Sequence, residues 1–128
     1  SGAKRQSLVE SSIGDYVAFV DDDDKLAKSY VSDLAAACQQ RPDVVTFDLK
    51  MTFSGTPRGP RVRKPETWKY GLYPNDRSQG RMSANHLCAW RRELALMVAW
   101  PPRLGYADDQ LWYQPLIASG FTTCSITT

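Results

Sequence analysis

An α/β fold built around one mixed sheet is what this chain predicts, and three observations carry the expectation. Tyr16 to Val20 is an unbroken run of apolar, β-branched and aromatic residues, the signature of a buried strand, and four aspartates, Asp21 to Asp24, follow it directly. From Val45 to Phe53 apolar residues alternate with mostly polar ones: Val45, Phe47, Leu49, Met51 and Phe53 share one face of a half-buried strand. Between these strands Leu26, Tyr30, Leu34 and Cys38 recur every four residues, with Val31 and Ala35 widening the stripe. That spacing predicts an amphipathic helix.

The remaining elements follow in order. Residues 4–13 put Leu8, Val9 and Ile13 on one helical face, and Gly14 offers a stop. The strand at 16–20 comes next, then the helix over about 26–40, ended by Pro42. After the alternating strand, residues 54–81 hold four glycines, four prolines and many cations, including Arg58, Arg61, Arg63 and Lys64. This predicts a long basic loop with little regular structure beyond a short hairpin. Residues 85–90 form a short strand, and Arg91, Arg92 and Glu93 open a helix that ends at Trp100, before Pro101. Asp108 and Asp109 begin a last helix, to about Ser119, kinked at Pro115, and a final strand covers 121–127. The expected core includes Val17, Phe19, Leu34, Val45 and Phe47. A length of 128 residues suits a single domain over 1–128.

Composition narrows the function classes. The chain is 42% hydrophobic and 23% charged, ordinary for a globular protein, with a net charge of only +2. That charge is too small to argue for nucleic acid. The basic stretch at 58–69, with Trp68 and Tyr70 beside it, keeps open a weaker reading in which it tracks a phosphate backbone. Cys38, Cys88 and Cys124 are odd in number and lack metal-site spacing, so buried free thiols in a reducing, cytoplasmic setting are expected. No apolar stretch approaches the ~20 residues of a membrane span.

The chemistry concentrates at the aspartates. Like charges a few ångströms apart raise each other's pKa, so four carboxylates at a strand end are costly to hold together. A divalent cation relieves that cost, and oxygen-only ligands favour Mg²⁺ or Mn²⁺. Ligands of open α/β sheets collect at the carboxyl ends of strands. The competing reading is a solvated acidic turn in which Asp24 caps the following helix.

Four segments together resemble the family 2 glycosyltransferases, whose fold is the GT-A nucleotide-sugar-binding fold. Gly2 to Gln6 is similar to the family pattern G-x-x-R-N. Gly14 to Asp24, followed by Tyr30, is similar to G-E-Y-I-x-F-L-D-x-D-D and its amphipathic helix. Trp90 to Glu93 looks like the family's aromatic-Arg-Arg-Glu step into a helix, and Ala107 to Gln110 looks like its Glu-Asp motif, with Asp108 in place of Glu. Gly120 and Phe121 follow at about the expected distance. The resemblance covers most of the chain, in order and spacing. Gln6 stands where the family has Asn. The strand-helix-strand segment that precedes this point in the family has no counterpart here, nor does the region after the last strand. The expected fold is therefore GT-A-like, a mixed sheet flanked by helices and incomplete at its amino-terminal side, as a fragment or a minimal form completed by a second subunit.

The resemblance implies roles. Asp21, Asp22 and Asp23 take the place of the D-x-D motif, with Asp23 and Asp21 at a Mn²⁺ or Mg²⁺ ion and Asp21 and Asp22 near the donor. Arg5 matches an arginine near the nucleotide. Asp109, with Asp108 as rival, takes the place of the general base for an inverting transfer from a nucleotide-sugar donor to a hydroxyl acceptor. His86, the one histidine, is a candidate metal ligand or phosphate contact, beside a purely structural reading. Arg91 and Arg92 are candidates for diphosphate or acceptor oxygens, beside a reading as an exposed helix start. Trp90, Trp100 and Trp112 are expected in the core, and Trp68 and Tyr70 are the candidates for stacking on a sugar ring. The alternative function is a non-catalytic metal- or nucleotide-binding module that needs a partner.

Overall fold

The computed structural model describes residues 2–22, 24–51, 66–97 and 123–126. Ten elements follow in chain order. They are helix α1 (Gly2–Ser11), strand β1 (Tyr16–Val17), helix α2 (Tyr30–Cys38), strands β2 (Val44–Met51) and β3 (Glu66–Gly71), a 3-10 turn (Arg77–Gln79), strands β4 (Arg81–Ser83) and β5 (Ala89–Arg91), helix α3 (Arg92–Leu96) and strand β6 (Thr123–Ile126).

The strands form a mixed sheet in the order β1-β5-β2-β3-β4, with β6 also paired to β2. β5 runs antiparallel to both β1 and β2, so Trp90 faces Val17 on one side and Val44 on the other. β1 and β2 are therefore parallel and end on the same side of the sheet. β6 is parallel to β2, and β2 and β3 pair antiparallel, from Asp48 with Lys69 to Met51 with Glu66. β4 runs parallel to β3 and leads through residues 84–88 into β5.

The core sits where β2, β3 and β5 meet α1 and α3. Val9, Val44, Tyr70, Ala84, Cys88, Trp90, Leu94 and Ala95 form one buried cluster, against which Val17, Phe19 and Leu49 pack. Val45, Ala37 and Ala89 form a second under α2, with Leu34 and Cys38. Of the expected core, Val45 is fully buried, and Val17, Phe19 and Leu34 are partly so. Phe47 is half-buried and meets the edges of Tyr30 and Tyr70. Trp90 is in the core as expected.

The elements depart from the sequence in instructive ways. α2 starts at Tyr30, four residues later than the period-four stripe suggested. Leu26 and Val31 are exposed, and the buried face is Tyr30, Leu34, Ala37 and Cys38. The α2 cap position is Ser29, so Asp24 lies five residues short of it and does not cap the helix. Among the described side chains of α1 only Val9 is buried; Leu8 faces outwards, and Ile13, past the end of the helix, is exposed. Residues 66–83 are not all loop: β3, the 3-10 turn and β4 are regular, with an irregular stretch at 72–76 between them. Asp76 opens that turn by accepting from the Ser78 amide, and Gly80 closes it in the left-handed conformation (φ 65°) that glycine adopts without strain. Residues 52–65, with the basic cluster Arg58, Arg61, Arg63 and Lys64, lie outside the described residues. So do Trp100, Trp112 and the expected last helix.

Candidate functional site

β1 delivers its carboxylates to the end of the sheet. Hydrogen bonding continues past the strand proper, since the Phe19 amide donates to the His86 carbonyl (3.1 Å), and the chain then turns, with the Asp24 amide donating to the Asp21 carbonyl (3.1 Å). Side chains two apart on an extended chain share a face, so Phe19 and Asp21 point the same way.

Three side chains converge there. An Nη of Arg5, from the first turns of α1, lies 3.6 Å from one Asp21 carboxylate oxygen. Nε2 of His86 lies 3.7 Å from the other. The phenyl ring of Phe19 forms the floor: the Arg5 guanidinium sits 5.9 Å from its centroid, and the His86 ring is tilted against it at 6.2 Å. His86 is buried, and Asp21 is partly open to solvent. Phe19 had no place among the expected site residues, although its period-two relation to Asp21 was the available signal. Asp22 is exposed in the turn. Asp23, Asp108 and Asp109 lie outside the described residues.

Arg91 and Arg92 are not brought to this cluster. β1 and β5 are antiparallel, so Tyr16 faces Arg91 at the start of β1, the end opposite Asp21. Arg91 pairs with Asp43 at 2.8 Å. Arg92 donates through Nε to Ser12 Oγ (2.9 Å) and through Nη2 to the Glu10 carbonyl (3.2 Å), while its amide donates to the Asp15 carbonyl (2.8 Å). Arg91 thus ties β5 to the start of β2, and Arg92 fastens the carboxyl end of α1 to the start of α3, so neither guanidinium is brought to the Asp21 cluster. Arg92→Ala is expected to cost about 1–2 kcal/mol, since two partly exposed hydrogen bonds from a charged donor are lost. Urea denaturation measures this, and an unchanged midpoint would show that the clamp contributes nothing.

Tyr70, a candidate sugar platform, is instead buried in the core, because the end of strand β3 carries it into the cluster that holds Val44, Cys88 and Trp90. Trp68, two residues earlier, remains half-exposed.

Among the described residues no group of three or more His, Cys, Asp or Glu side chains is arranged to hold a metal. Asp21 and His86 supply an oxygen and a nitrogen donor on one side of the cluster. Mg²⁺ and Mn²⁺ sites commonly take only one or two protein carboxylates and fill the rest with phosphate oxygens and water, so Asp21 suits such an ion, and the His86 imidazole would be the less usual ligand beside it. Among the described residues no helix is long and apolar enough to cross a membrane.

Comparison with known proteins agrees with this architecture. The profile of Glycosyl transferase family 2 matches residues 2–96, well over half of the chain, and that span holds Arg5, Asp21 and His86. A search of curated proteins finds no match. Among solved structures the chain is similar to the crystal structure of S. aureus TarS 1-349, with 21% identity and a TM-score of 0.65. That match covers 98% of this chain and 37% of TarS, so the chain spans little more than a third of that structure. The fold is GT-A-like, a mixed sheet with few helices. By profile and by fold, the chain belongs to glycosyl transferase family 2.

Proposed function

We propose that this chain carries the donor-binding end of a glycosyltransferase site, moving a sugar from a nucleotide-sugar to a hydroxyl acceptor with inversion. The observation that carries the reading is the convergence of Arg5, Asp21 and His86 at the carboxyl end of β1. A donor of this class presents a diphosphate leaving group, and this cluster combines what such a group needs. Arg5 offers a fixed guanidinium to phosphate oxygens. Asp21, with Asp22 and Asp23 following it in the family pattern, and His86 would hold Mn²⁺ or Mg²⁺. A bound ion of this type neutralises negative charge on the departing diphosphate. The Phe19 ring and the buried setting of His86 keep one wall of the cluster dry, which strengthens every charge interaction there. Asp109, with Asp108 as second candidate, would take the acceptor hydroxyl's proton on the face opposite the leaving group.

A thermal-shift screen of nucleoside diphosphates and their sugars, with and without Mn²⁺, tests the reading. A ligand at a hundred times its Kd stabilises by about 2.7 kcal/mol. At least one nucleotide should raise the melting temperature in a Mn²⁺-dependent way, and Asp21→Asn should abolish the Mn²⁺ dependence without lowering the melting temperature of the free protein. No response to any donor would sink the proposal. Mn²⁺-dependent binding without turnover by any donor would instead identify a nucleotide-binding module.

A further inference from the structure

A concave region lies on the same side of the sheet as the Asp21 cluster. β2 is parallel to β1, and its last residue, Met51, pairs with Glu66, so β3 begins at the carboxyl end of β2. An open cleft of about 420 Å³ is found there, lined by Glu66, Thr67, Trp68, Arg77 and Gly80. Its volume is in the range of small-molecule sites. It is tied to the Asp21 cluster through a short piece of chain. Gly80 precedes β4, and His86 follows six residues later, so at full extension the cleft lies within about 20 Å of the His86–Asp21 pair.

The lining has a definite chemical character. One wall is a half-exposed indole, one side carries a carboxylate, another a guanidinium, and Thr67 adds a hydroxyl. Gly80 contributes backbone alone. Glu66 can accept from two hydroxyls, and Arg77 donates in a planar fork. The opposite charges of Glu66 and Arg77 offset each other, which disfavours a polyanion and suits an uncharged ligand rich in hydroxyls. The Trp68 indole N–H is shielded from solvent and has no hydrogen-bond acceptor among the described residues, so the indole offers its ring face rather than its donor.

We propose that this cleft is a subsite for an uncharged saccharide acceptor, whose pyranose face stacks on Trp68 and whose hydroxyls bond to Glu66 and Arg77. The proposal rests on the glycosyl-transfer reading above and deepens it by naming the class of acceptor. It explains why an aromatic side chain on a core strand stays half-exposed, whereas Tyr70 on the same face is buried. It also places the acceptor at the carboxyl end of the sheet, where the donor cluster lies.

The test titrates the whole chain with a panel of neutral oligosaccharides, hexose and N-acetylhexosamine oligomers, and follows the indole N–H resonances. The Trp68 signal is assigned by its loss in Trp68→Phe. At least one oligosaccharide should shift that resonance. Glu66→Gln and Arg77→Ala, both at exposed positions, should each weaken binding about tenfold, as loss of a hydrogen bond to a charged group does. Val31→Ala, on the exposed face of α2, should leave saccharide affinity unchanged. A Trp68 resonance unmoved by every oligosaccharide overturns the proposal, and so does one moved only by nucleoside diphosphates, which would assign the cleft to the donor. Saccharide binding with no nucleotide response would uphold the cleft and remove the transferase reading, so the two failures remain distinct.

Discussion

Trp90→Ala is expected to remove about 3–5 kcal/mol of stability, because Trp90 is the largest fully buried side chain among the described residues. Trp90 is 1% exposed and lies in the middle of β5, the strand that joins β1 to β2. Its ring fills the space among Val44, Cys88 and Leu94, and its Nε1 donates to the Asn85 carbonyl at 2.9 Å. Alanine leaves a cavity that the paired backbones on both sides cannot close. Domains of this size have only about 5–15 kcal/mol in all, so much of the population should unfold under mild denaturant. With a slope of about 1–3 kcal/mol per molar in urea, the midpoint should fall by more than about 1 M. Val31→Ala, at a position 71% exposed, serves as control and should change stability by less than about 0.5 kcal/mol. A Trp90→Ala loss below about 1 kcal/mol would mean that β5 is not the centre of the core.

Alkaline pH should unfold the chain through Cys88. Burial pushes its thiol from 9.0 up to about 12, because the thiolate would have no water around it. The folded state therefore prefers the neutral thiol more strongly than the unfolded state does. The stabilisation is fully present below pH 9 and is lost as pH rises from 9 towards 12. Each unit in that window costs about 1.4 kcal/mol, or about 4 kcal/mol across it. Burial also raises Tyr16, Tyr30 and Tyr73, which add losses of the same sign above pH 10. Between pH 9 and 10 the fall should belong mainly to Cys88, and Cys88→Ala should flatten it. Melting curves at pH 8, 9 and 10 check the slope. Iodoacetamide labelling checks the cause: Cys38, half-exposed, should react in the folded protein, and Cys88 should react only as it unfolds. Equal rates would refute the buried-thiol account.

The parts legible in the sequence were those with a strong local period. β1 and β2 showed as an apolar run and an alternation, and Val45 and Trp90 were placed in the core. Asp21 stood out as charge at a strand end. What failed depended on reach and on neighbours. Arg91 and Arg92 open a helix, but nothing local says that their guanidiniums turn back to Asp43 and Ser12. β3 was hidden because glycine, proline and cations across 54–81 outweighed a six-residue strand whose pairing with β2 is non-local. Trp68 and Tyr70, two apart, carried the strand period within that stretch. On α2 Tyr30, Leu34 and Cys38 were placed on the inward face, while Leu26, Val31 and Ala35 were added to it wrongly and the α1 face was misjudged, because a four-residue recurrence fits several helical stripes and the packing partner selects one.

The clamp at Arg92 has a consequence beyond stability. Helix α1 is held at its Ser12 end and presents Arg5 seven residues away, about 10 Å along the axis. It acts as a lever whose pivot is Arg92. A tilt of about 10° at the pivot carries Arg5 by about 2 Å over that length, a displacement on the scale of the 3.6 Å separation from Asp21 and enough to break that contact. Substitutions at Ser12, Asp15 or Arg92 would then register as defects in ligand binding, although none of these residues touches the ligand.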